Sequence, residues 1–158
     1  MAGRRSGRGF TLVELVTVMI LIGILAVVAL PQLNVAQDFG ATSFRDRVAA
    51  SLRYAQKSAV ARRRMVCATV AADGLSLTLT VAASFGAGAC ANAMNGPDGA
   101  NPAASAPGSV TLTPAVTLYF QPSGSVTSNA VGTTIANFTL TVTGETPITV
   151  TGATGYVN

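Results

Sequence analysis

A chain without a single histidine has no Ser-His or Cys-His pair to activate a nucleophile and no imidazole to hold a metal. Asp38, Asp46, Asp73, Asp98 and Glu145 stand singly, none paired with another at helical or hairpin spacing. Neither a two-acid mechanism nor a calcium cage has its parts. On this inventory no catalytic residue, metal ligand or cofactor is expected. Three features of another kind are left. Glu14 is the one charge in an apolar stretch from Phe10 to Leu30. An ionised acid on a spanning helix costs roughly 2.5–3.5 kcal/mol at the bilayer centre, so such a residue usually has a job. Cys67 and Cys90 are the only thiols, and they lack the Cys-x-x-Cys spacing of a redox pair. Arg45, Arg47, Arg53, Lys57, Arg62, Arg63 and Arg64 crowd into one segment opposed only by Asp46, a balance of seven minus one, or +6.

The elements that must position these groups follow from patterning. Phe10 to Leu30 is 21 residues, about 31 Å as a helix, which matches the hydrocarbon core of a bilayer. A secretory signal would have an apolar region of only about 7–15 residues and a small-x-small site after it. Asn34-Val35-Ala36 is a poor candidate for that site. Arg4, Arg5 and Arg8 precede the run and no basic residue follows until Arg45, so the positive-inside rule leaves the leader in the cytoplasm and the body across the membrane. A body on the oxidising side favours a Cys67–Cys90 disulfide between the first strand and the long loop, worth about 3 kcal/mol in the chain-entropy model. Two buried, unpaired thiols are the alternative.

Pro31 follows the apolar run directly and predicts a kink. The helix resumes to Arg64: Phe44, Val48, Leu52, Ala55 and Ala59 fall within an arc of about 80°, the stripe of a helix packed on one side. Arg62 also falls inside that arc, where the helix would be leaving its partner surface. The period then switches to two. Leu75, Leu77, Leu79 and Val81 alternate with Ser76, Thr78 and Thr80, with a strand at 65–71 before them and Asp73-Gly74 at the hairpin turn. Further strands are expected at 116–120, 138–143 and 148–151. Residues 84–108 show no periodicity and are expected to form a mobile surface loop, or less favourably a binding loop. The fold class is α+β: a long kinked N-terminal helix, half transmembrane, packed on a C-terminal antiparallel β-sheet domain.

The run Gly9-Phe10-Thr11-Leu12-Val13-Glu14, set between a basic leader and the apolar helix, resembles the class III signal of type IV pilins and type II secretion pseudopilins. The resemblance implies that a membrane-embedded prepilin peptidase/methyltransferase cuts between Gly9 and Phe10 and methylates Phe10. Removing the leader leaves seven basic residues against six acids, or +1. Later segments resemble the GspH/FimT minor pseudopilins, with an aromatic-x-Pro-x-Gly turn at Phe120-Gln121-Pro122-Ser123-Gly124 and a closing Thr154-Gly155-Tyr156-Val157. The implied protein is a non-enzymatic subunit of a type II secretion pseudopilus or type IV pilus. Its leader is residues 1–9, its membrane and assembly half 10–30, its amphipathic half 31–64 and its periplasmic β-domain 65–158. Its partners are the inner membrane, which it crosses once, and then other pilins in a filament. Glu14 would pair there with the N-terminal amine of a neighbouring subunit. The face carrying Arg45, Arg53, Lys57, Arg63 and Arg64 is a solvated helix surface, a contact for another pilin, or a phosphate-binding stripe for DNA uptake. DNA is possible but not favoured, because the DNA-binding members resemble one another in a C-terminal Arg motif and Gly155-Tyr156-Val157-Asn158 has no Arg.

Overall fold

The computed structural model describes residues 11–158, and the side chains of all of these except 26–39. Two compact units divide the chain, Met1–Ala36 and Gln37–Asn158. Helix α1, Leu12–Arg62, contributes to both. Its backbone stays helical at Pro31, while the kink expected there falls within 26–39, outside what is described.

In the second unit, Phe44, Val48, Leu52, Ala55 and Ala59 are all buried, each at 1% exposure or less. These are the five positions that the helical period puts on one face. They share one core with inward residues of the strands, among them Leu77, Leu79, Leu118, Phe120, Leu140 and Ile148. Strands β1, Val66–Val70, and β2, Ser76–Ala82, form an antiparallel hairpin with Val66 opposite Val81. Its turn closes as the sequence demands: the Asp73 carboxylate accepts the Leu75 N–H at 2.9 Å, and Gly74 takes φ +70° against the Leu112 backbone. A side chain at Gly74 would be strained in conformation and in space.

The expectation of one sheet gives way to two. In the larger, the order is β3-β2-β1-β6-β7, with β4 also pairing β2. Its added strands are β3, Cys90–Met94; β4, Ala104–Ser105; β6, Thr117–Phe120; and β7, Val126–Thr127. The smaller has order β5-β8-β9, built from β5, Leu112–Thr113; β8, Phe138–Val142; and β9, Ile148–Val150. Residues 84–108, expected to be without structure, carry β3 and β4 and bury Met94, Ala103 and Ala104. No alternation marks β3 because Ala91, Asn92 and Ala93 are all exposed on this sheet edge. Leu75, taken as the first buried residue of β2, is instead 42% exposed and belongs to the turn.

Candidate functional site

Four places in the chain gather the residues singled out by sequence. At the N-terminal end, Gly9 and Phe10 lie outside the described residues. Thr11 caps the helix: its hydroxyl accepts the Glu14 N–H at 3.3 Å and its carbonyl accepts the Leu15 N–H at 3.2 Å. Glu14 therefore stands in the first turn of α1, where a carboxylate is favoured by the free N–H groups and the positive end of the helix dipole. The Thr-x-x-Glu spacing of a capping box was the available signal for Thr11. From Leu12 to Leu25 every side chain is exposed, with exposures from 44% at Val16 to 79% at Leu12 among the large apolar residues. Among the described residues no helix is long and apolar enough to cross a membrane. The run expected to span also includes Phe10 and residues 26–30, whose side chains lie outside them.

The two cysteines are joined. Cys67 of β1 and Cys90 of β3 form a disulfide with a Cα–Cα distance of 6.1 Å. Val66, Ala68 and Val70 point into the main core. Cys67 points the other way, into a small cluster with Met65 and Ala82, packed by Ala87, Cys90, Tyr119 and Ala130. The bridge thus pins the sheet's edge on the face away from the helix.

The basic segment does not act as one stripe. Arg45 donates from Nε to the Thr146 carbonyl at 2.8 Å and touches Asp46 at 3.3 Å. Arg47 pairs with Asp98 at 3.2 Å, and the Arg53 Nε donates to the Val157 carbonyl at 3.2 Å. With the Thr42 hydroxyl on Glu145 at 2.7 Å and the Ser51 hydroxyl on the Ala103 carbonyl at 3.2 Å, these contacts fasten the helix to three chain-distant segments. The Ala100 N–H and the Arg47 guanidinium hold the Asp98 carboxyl below its ordinary value. Two distant turns also meet at the helix. Gly155, at φ +67°, lies so close to the Gly124 carbonyl and the Gln56 side chain that a Cβ there would collide with both.

Arg62, Arg63 and Arg64 remain exposed at the helix C-terminus, and their side chains have no acid or hydrogen-bond partner among the described residues. The Arg64 N–H reaches the Ala59 carbonyl at 3.2 Å and the Arg63 N–H reaches Val60 at 3.3 Å. This is the hydrogen-bond pattern of a Schellman cap. Its left-handed position is held by Arg63 at φ +50°, where glycine is usual. These guanidiniums line a groove of about 400 Å³ with Ser84 and Phe85. Of the proposed basic face, Arg63 and Arg64 come together here, whereas Arg45 and Arg53 are engaged elsewhere. Lys57 is exposed. Phe85, overlooked in sequence, had one signal: a large aromatic in an Ala/Gly-rich tract.

The prokaryotic N-terminal methylation motif matches residues 4–30, and the family described as type II transport protein GspH matches residues 45–155. No curated protein matches the chain. Among solved structures it is similar to the type IV minor pilin FimU of Pseudomonas aeruginosa strain PAO1. That likeness has 21% sequence identity and a TM-score of 0.47, covering 74% of this chain and 90% of that one.

Proposed function

This chain belongs to the type II transport protein GspH family, and we propose that it works as a minor pilin or pseudopilin, a filament subunit with no enzymatic activity of its own. One observation carries the reading: residues 12–25 form a helix with apolar side chains on every side, whose only charge is Glu14 near its start. A helix apolar all round is stable only inside something equally apolar. A bilayer provides that before assembly, and a bundle of like helices provides it afterwards. The precursor inserts in the bacterial inner membrane with residues 10–30 spanning and Arg4, Arg5 and Arg8 on the cytoplasmic side. Prepilin peptidase cuts Gly9–Phe10 and methylates Phe10, and the β-domain stands in the periplasm until the subunit enters the filament. There Glu14 neutralises the Phe10 amine of a neighbour, because an unpaired acid among packed helices is costly.

Both a type II secretion pseudopilus and a type IV pilus use this arrangement. A DNA-uptake role has less support, since Arg45, Arg47 and Arg53 already hold acceptors within the domain. The test is the mass of the mature N-terminus in cells containing the peptidase. Wild-type protein should begin at methylated Phe10. Gly9→Glu should insert but keep its leader, because a bulky charge blocks close approach of the backbone to the peptidase. A mature, methylated Phe10 in that variant sinks the processing step.

A further inference from the structure

The cap at the end of α1 is an anomaly with a neighbour. A non-glycine residue in the left-handed region is held against a steric penalty between its Cβ and the backbone, and such outliers tend to persist where they serve function. Here the strained residue is Arg63, the middle one of three consecutive exposed arginines. Among the described residues no acid pairs with them. Asp46 contacts Arg45, Asp98 contacts Arg47, Glu145 accepts from Thr42, and Asp73 accepts the Leu75 N–H. Beside them stands Phe85, 76% exposed. Phe85 also lines a second groove of about 450 Å³, walled by Met65, Gln121, Pro122 and Val131, with Val131 itself 78% exposed. The two grooves meet at one aromatic ring, basic on one side and largely apolar with a few amide and hydroxyl groups on the other.

We propose that this composite groove binds an extended segment of another protein that carries two or more carboxylates beside a large apolar side chain. The carboxylates pair with Arg62, Arg63 and Arg64, where bidentate guanidinium geometry gives both strength and direction. The apolar side chain covers Phe85 and Val131. A nucleic acid fits less well. A phosphate chain needs cations along its whole track and bases need several stacking rings. The walls beyond Phe85 hold no Lys or Arg, and Phe85 is the one aromatic ring in either groove. This binding does not depend on filament assembly.

The test uses full-length processed protein in a non-ionic detergent and an arrayed set of fluorescent decapeptides. Each has three glutamates placed at varied spacing from a Leu-Phe pair, with glutamine versions as partners. Some spacings should bind, and their glutamine versions should bind about tenfold more weakly. Arg63→Gly should lose about tenfold in affinity while its melting temperature stays level or rises, since glycine relieves the strained cap. Phe85→Ser should weaken binding without changing its salt dependence. The proposal is overturned if no peptide binds, or if Arg63→Gly and Arg64→Gln bind as tightly as wild type. It is also overturned if a twenty-thymidine oligonucleotide binds more tightly than every peptide and loses that binding in the Arg variants.

Discussion

Glu14 illustrates how one residue can carry two separable jobs. Its backbone N–H completes the Thr11 cap, and its carboxylate sits at the positive end of the helix dipole. Glutamine is equally accepted at this position of a capping box, so Glu14→Gln should leave helix formation and leader cleavage intact. What it removes is the charge. We expect the Gln variant to be processed normally yet to be recovered poorly in filaments, with Glu14→Asp partly functional. Normal incorporation of the Gln variant, measured by subunit content of sheared filaments, rules out charge pairing with a neighbour. The acid was legible in the sequence because a lone charge in an apolar run is conspicuous. The fate of Arg45, Arg47 and Arg53 was not. Helical periodicity says which side a residue faces, but not that the Thr146 carbonyl, the Asp98 carboxylate and the Val157 carbonyl come from distant chain to meet it.

At the level of elements, long periodic segments could be foreseen and short ones could not. The helix stripe and the strands around Leu77, Leu118, Leu140 and Ile148 announced themselves by spacing. Strands β4, β5 and β7 have two residues each, too few for any period, and edge strand β3 turns three residues to solvent. β3 is held by its pairing with β2 and by the covalent tie to β1. The Cys67→Ser/Cys90→Ser double variant should therefore lose about 3 kcal/mol of stability in the chain-entropy model, read by denaturant unfolding. Thiol labelling of native protein without reductant should find neither cysteine; free labelling of both contradicts the bridge. The same segment is tied to α1 through Arg47–Asp98. Because the Asp98 carboxyl is held below its ordinary value of 3.8, its contribution is present above that value and fades as pH falls through the lowered one. Arg47→Ala should move the Asp98 titration upward but not fully back, since the Ala100 N–H is the larger cause. NMR titration of the side-chain carboxyl measures this directly, and an unmoved midpoint removes Arg47 from the account.

For the molecule as a whole, a helix packed on antiparallel strands was readable from the change of period along the chain. The split into two sheets was not, because both contribute to the same core and a period of two does not say which neighbour a strand will choose. The C-terminal tail shows what such long-range closure entails. Val157 is 3% exposed and bridges Val150, its carbonyl accepts from Arg53, and the Asn158 N–H reaches Thr149. Residues 157 and 158 thus complete the packing around a helix residue about a hundred positions earlier. A ribosome still holding residues 157 and 158 in its exit tunnel withholds a piece of the core. Closure of this core therefore waits until those two residues have emerged. Deleting Val157 and Asn158 should reproduce that waiting state permanently: helix α1 forms, but the domain stays open and is degraded faster than wild type in pulse-chase. A deletion variant as long-lived as wild type removes this ordering.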